Sequence, residues 1–276
     1  SVLGSELAAA LERAGDASVA ALIEPQLPES TVSLREVAAW ATRALLDRPF
    51  GSSVADQSER ARLLSNLGNR LSDLGQREEA LAATRGAFEI FRALARQLPE
   101  AFLPNLANSL NNLGIWLGDL GQREEALAAA LEAVQLFRVL ARHQPEDFLP
   151  GLAVSLTNLG SRLSDLGQRA EALAATREAV EPYRDLARQR PEEFLPDLAT
   201  ILNNLGIMLG DMGQHEEALV STREALEIRR DLARQRPDAF LPDLASSLNN
   251  LGMRLSDLGQ HEEALAGIRE AVELYR

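Results

Sequence analysis

The chain has 276 residues, 46% of them apolar and 25% charged, with a formal charge of -13. That is enough apolar material for a core, and the acidic balance argues against nucleic acid or an anionic membrane as the main partner. Cysteine is absent and all 28 basic residues are arginine, which removes disulfides, thiolate metal sites, Schiff-base lysines and phosphate-loop lysines together.

In chain order, Leu3 to Ala14 reads as a first helix. The longest apolar run near it, Val19 to Ile23, is far too short to cross a membrane. No signal peptide is visible, so a cytoplasmic location is expected. Pro25 and Pro28 mark a loop, and Ser33 to Asp47 reads as a second helix with Ser33 as its N-cap. Pro49 to Ala55 is its linker. Trp40-Ala41-Thr42-Arg43-Ala44-Leu45 echoes Ala82-Ala83-Thr84-Arg85-Gly86-Ala87, so residues 1–55 read as a helical cap containing a degenerate repeat.

From there the chain repeats itself. The pattern N-L-G-x-x-L-x-D-[LM]-G-Q-[RH] occurs five times, its second glycine at Gly75, Gly121, Gly167, Gly213 and Gly259, always 46 residues apart. A second marker, P-[ED]-x-F-L-P, starts at Pro99, Pro145, Pro191 and Pro237. Each unit reads as two helices. Helix A is expected from Pro104 to Leu120, with proline at its first position and Leu106, Leu110, Leu113, Leu117 and Leu120 on one stripe. Gly121 ends it as a left-handed cap. Helix B opens on Glu124 and Glu125 and runs through Arg142, charges that suit both ends of the helix dipole. Nothing alternates with period two, so strands are not expected.

A glycine recurs in mid-helix at Gly68, Gly114, Gly160, Gly206 and Gly252, matched by Ala80, Ala126, Ala172, Ala218 and Ala264. Such a glycine costs about 1 kcal/mol against alanine, so another backbone must come close there. One hairpin cannot cover its own apolar stripe, and stacking follows. The third repeat carries Pro182 inside helix B, where a kink is expected. The chain stops at Arg276, in register with Arg92 within helix B, so the array is expected to continue or to be truncated.

The spacing of Leu113-Gly114, Leu117, Gly121, Ala126 and Ala133 resembles the tetratricopeptide repeat (TPR) over residues 56–276. The usual unit has about 34 residues, and this one is closer to the longer variants of kinesin light chains and bacterial regulatory arrays. The large aromatic usual at the eleventh position is replaced by Leu71, Leu117, Leu163, Leu209 and Leu255. The resemblance implies an all-α, right-handed α-solenoid (superhelix) of stacked antiparallel helix hairpins, non-catalytic, binding a protein or extended peptide on a concave face lined by helix A. Residue by residue, it assigns to that face Asn66, Asn112, Asn158, Asn204 and Asn250 at the sixth position. Asn111, Asn203 and Asn249 follow at the fifth, and Asp73, Asp119, Asp165, Asp211 and Asp257 at the thirteenth. A primary amide both donates and accepts, so it can pair with an extended peptide; the alternative is that each asparagine only bonds a neighbouring helix. The aspartates form either an acidic wall or partners for the following turn.

The Lys/Arg set that grips a C-terminal carboxylate in chaperone-binding TPR domains is missing, with only Arg62 at a matching position. A neutral or basic segment is therefore preferred. Repeats 2 and 4 differ from the rest in carrying Ile115 and Ile207 at the ninth position and Gly118 and Gly210 at the twelfth. This doubled period reads either as a greasy pocket on alternate repeats or as a trace of duplication. His143, His215 and His261 are one or more repeats apart and poorly placed to share a metal. No cofactor and no metal are expected. Two other readings stay open: a regulatory array of a larger bacterial signalling NTPase or protease, and a self-assembling module stacking through its C-terminal end.

Overall fold

The computed structural model describes residues 6, 7, 9–11, 13, 17–26 and 34–274. The described residues between 3 and 14 are helical, as expected, and α1 (Ala17–Ile23) with a 3-10 turn (Glu24–Gln26) occupies part of the stretch read as loop. Pro25 lies in that turn, while Pro28 and the expected cap Ser33 lie outside the described residues. Then come α2 (Arg35–Leu46), α3 (Val54–Asp73), α4 (Arg77–Gln97), α5 (Pro99–Asp119), α6 (Arg123–His143) and α7 (Pro145–Asp165). They are followed by α8 (Arg169–Gln189), α9 (Pro191–Asp211), α10 (His215–Gln235), α11 (Pro237–Asp257) and α12 (His261–Leu274). The chain forms two compact units, Ser1–Phe137 and Arg138–Arg276.

The helix ends follow from the sequence. In α5, Gln122 N–H bonds Leu117 C=O and Gly121 N–H bonds Gly118 C=O, each at 2.9 Å. This is the Schellman arrangement, which needs a left-handed residue, and the turn glycines have φ of 72–75°. Helix α3 opens on Ser53, whose hydroxyl accepts from Asp56 N–H at 3.1 Å.

One expectation is corrected. Helix A starts at Pro99, Pro145, Pro191 and Pro237, five residues earlier than read, and the P-E-x-F-L-P connector is its first turn and a half. The first proline takes the position where an N–H would go unpaired. The second, such as Pro104, sits inside the helix and forfeits one bond to Glu100, which is exposed, so that carbonyl is not left dry. A single residue (Leu98, Arg190 or Arg236) joins helix B to the next helix A, with φ near -135° and ψ near 73°. Pro182 likewise lies within an unbroken α8.

The core of the first unit packs Leu106, Leu110, Leu113 and Leu117 of α5 against Phe88 and Phe91 of α4 and Ala126, Ala129 and Ala133 of α6. In the second, Leu226 and Ala233 of α10 meet Leu244 and Leu248 of α11 and Ala271 of α12. Each buried leucine contributes about 1.5–3 kcal/mol. Mid-helix glycines permit the approach: a Cβ on Gly114 would lie 3.3 Å from Ala126 O, and one on Gly206 would lie 3.1 Å from Ala218 O.

Candidate functional site

The fifth, sixth, ninth and thirteenth positions of each repeat all lie on helix A. In the first unit, Asn112 donates its amide to Asn69 Oδ1 at 3.2 Å, and Asn66 donates to the buried Glu24 at 3.3 Å. In the second, Asn250 donates to Asn203 Oδ1 at 3.0 Å. Each of these three amides thus bonds a side chain of another element. Asn158 is half-buried and Asn204 and Asn249 are exposed. Asn111 and Asn203 are corrections to the surface set: they are buried, 6% and 7% exposed, because the fifth position turns toward the neighbouring helix.

The five aspartates, Asp73, Asp119, Asp165, Asp211 and Asp257, are all exposed. Two are paired within their own turn, Asp165 with Arg162 at 3.4 Å and Asp257 with Arg254 at 3.5 Å. His215 Nδ1 is 3.7 Å from Asp257. Ile115 is half-buried and Ile207 is at 36% exposure.

The two faces of α7 and α9 that meet in the second unit enclose a recess of about 280 Å³, lined by Thr157, Ser161, Asp165, Asn204, Ile207 and Met208, among others. Asn204, Asp165 and Ile207 were read from the sequence. Ser161 and Met208 were not, although both vary with the doubled period. Thr157 also bonds the hydroxyl of Tyr183, whose pKa is raised chiefly by burial.

The greasy pocket expected over Gly210 is absent. Arg254 of the next repeat lies there, 5% exposed, its guanidinium on the bare Cα of Gly210. Arginine is present at the tenth position because glycine at the twelfth makes room. At the previous junction the same pair is Met208 and Ser164.

The opposite face, made by helix B, carries ion pairs that local periodicity does not reveal. Arg85 reaches Glu125 (3.0 Å), Arg177 reaches Glu217 (2.5 Å) and Arg223 reaches Glu263 (3.4 Å). A second row joins Arg138 to Glu178 and Arg184 to Glu224 and Arg230 to Glu270, at 2.6–2.7 Å. Arg43 of α2 pairs with Glu79 in the same manner. The signal was an arginine followed 40 residues later by glutamate. Each exposed pair is worth about 0–1 kcal/mol. A recess of about 600 Å³ lies in the first unit, over Leu110, Leu113, Leu117 and Phe88. There Arg92 stacks on Phe88 at 5.4 Å and makes no second rung with Glu132 among the described ion pairs.

Among the described residues, no helix is long and apolar enough to cross a membrane.

A tetratricopeptide repeat family model matches residues 60–95, 106–141, 152–186, 198–233 and 244–276. Comparison with curated proteins gives no match. Among solved structures, BtubC (BKLC) from P. vanneervenii is similar with a TM-score of 0.68 and 18% identity, over 87% of this chain and 88% of that one. A kinesin light chain candidate from Podosopora anserina, built of nearly identical TPR-like repeats, gives 0.61 at 20% identity over 79% and 96%. MamA from Desulfovibrio magneticus RS-1 gives 0.52 at 20% identity over 79% and 96%. At such identities the likeness establishes the fold: all-α, a right-handed α-solenoid of stacked antiparallel helix hairpins.

Proposed function

The chain belongs to the tetratricopeptide repeat family, and from that footing we propose that it is a non-catalytic scaffold holding an extended segment of a partner protein along its helix-A face. The repeat architecture supports a role in protein interaction. The finer reading is carried by the recess between α7 and α9, where hydroxyls of Thr157 and Ser161, the amide of Asn204 and the carboxylate of Asp165 surround the apolar Ile207 and Met208. An exposed amide beside hydroxyls can pair with both the C=O and the N–H of a bound backbone, and an apolar floor takes a side chain. The exposed Asp119, Asp211 and Asp257 favour a neutral or basic segment over one ending in acidic residues. Asn112, Asn158 and Asn250 would act at the margin, since Asn112 and Asn250 already serve neighbouring helices. Residues 1–55 are taken as a cap, because α2 supplies Arg43 to Glu79 just as helix B supplies arginine in the repeats.

The test is to pan a displayed library of unbiased linear peptides against the whole chain and retest enriched peptides on Asn204→Ala and Ser161→Ala. Enriched peptides should be neutral or basic, and each substitution should weaken them about tenfold or less, as loss of one hydrogen bond does. Enrichment of peptides with acidic C-termini, or binding indifferent to both substitutions, would refute the reading.

A further inference from the structure

Two neighbouring junctions of the second unit are built from different side chains. Between α9 and α11, Arg254 projects from α11 onto the Cα of Gly210, with Nε 3.5 Å from the carboxylate of Asp257. Between α7 and α9 the corresponding residues, 46 positions earlier, are Met208, Ser164 and Asp211. Met208 carries no group that can pair with a carboxylate; its sulfur instead accepts the Thr176 hydroxyl at 3.4 Å. A second recess of about 170 Å³ remains, bounded by Ser164, Arg169, Met208, Asp211 and Met212. It shares Ser164 and Met208 with the recess described above. A water molecule takes about 30 Å³ of liquid, so there is room for a guanidinium. Asp211 makes no ion pair among the described residues, whereas Asp165 nearby is held by Arg162.

We propose that this recess receives an arginine side chain of the partner. Because the Ser164 side chain fills the seat that Gly210 leaves open to Arg254, the incoming guanidinium lies beside Ser164 in the recess, paired with Asp211, with its methylene stem along Met208 and Met212. The chain's own arginine is the precedent for the chemistry: a planar, weakly hydrated cation that tolerates close contact with backbone better than an ammonium does. Arg169 borders the same space and is the competing cation. The inference rests on the helix-A face being the binding face, and it narrows the partner to a segment with an arginine anchored beside apolar residues.

The chain holds three methionines, which makes the site self-reporting. Met208 and Met212 line the recess, and Met253, 54% exposed on α11, is the internal control. The probe is a capped, amidated Ala-Leu-Arg-Leu-Ala peptide, titrated into whole chain with isotope-labelled methionine methyl groups, beside the same peptide with citrulline in place of arginine. The Met208 and Met212 signals should move saturably with the arginine peptide while Met253 stays. Citrulline, which keeps the shape and loses the charge, should bind about tenfold more weakly or worse. Asp211→Asn should erase that difference, Arg169→Ala should tighten the arginine peptide, and Ser164→Gly with Met208→Arg should close the recess from within. Asp211 is exposed, so its variant keeps the fold, and circular dichroism checks this. Equal binding of the two peptides, or full preference for arginine in folded Asp211→Asn, overturns the proposal. If library peptides lacking arginine bind in an Asn204-dependent way, the arginine site falls and the binding face stands. If no methyl moves and Asn204→Ala changes nothing, both fall.

Discussion

Arg254 lies on the bare Cα of Gly210, in the space that a side chain at that position would need. Size at one position therefore answers size at the other, and the alternation of repeats has a packing cause. Gly210→Ser alone should push the guanidinium off its seat and lower stability. With Arg254→Met in addition, the junction becomes that of Ser164 and Met208, which the same chain already builds. A double-mutant cycle by urea unfolding should give a coupling of about 0.5–3 kcal/mol in favour of the double variant; additive losses would refute the link.

The mid-helix glycines should not be equivalent. Alanine gains about 1 kcal/mol of helix propensity over glycine. At Gly206 the new Cβ meets the Thr222 hydroxyl, which is tied to Ala218 O at 2.8 Å. At Gly114 its nearest neighbours are Ala126 O at 3.3 Å and the Ala129 methyl at 3.7 Å. Gly206→Ala should lower the melting temperature, and Gly114→Ala should cost clearly less. Equal effects in thermal melts would contradict this.

Arg229 stands where other repeats have Phe91, Phe137 and Tyr183. It is buried, and desolvation lowers its pKa. Its guanidinium donates to Asp243 O (3.1 Å), Ser247 Oγ (2.7 Å) and Thr200 Oγ1 (3.4 Å), all uncharged acceptors. No ion pair holds it among the described residues, and the Asp243 charge offsets the desolvation only in part, which leaves a net cost that an apolar isostere avoids. Arg229→Tyr should thus leave stability unchanged or raise it by about 1–3 kcal/mol. A loss of that size in denaturant unfolding would mean that the hydrogen bonds outweigh the desolvation.

Asp197, one turn beyond Glu193 on α9, is exposed but partly desolvated, and its pKa is raised first by that desolvation and then by the Glu193 charge. The folded state thus holds its proton more tightly than the unfolded state does. The penalty for ionising it is absent below the ordinary aspartate pKa and complete above the raised one. Asp197→Asn should stabilise the chain at neutral pH, with the gain fading as pH falls through that window. Chemical unfolding at a series of pH values checks this, and a gain that persists in acid would refute it.

The hairpin, its turn and its close contacts were legible because each is local. Gly121 demands a left-handed turn, and Gly114 opposite Ala126 demands proximity. The start of helix A was misread because two prolines five residues apart each satisfy the rule for a first helical position, and composition does not say which one the chain uses. The arginine–glutamate rows were missed because 40 residues separate partners that only stacking brings together. The amides of Asn112 and Asn250 show the same limit: a residue type fixes what can be bonded, and the neighbour one repeat away, Asn69 or Asn203, decides whether it is.

The single-residue joints after α4, α8 and α10 leave no slack between one hairpin and the next. One inserted residue within a helix would swing everything downstream by about 100° around its axis and turn leucines outward. An insertion or deletion inside these helices or joints should therefore be strongly destabilising, whereas adding or removing a whole 46-residue unit keeps the register.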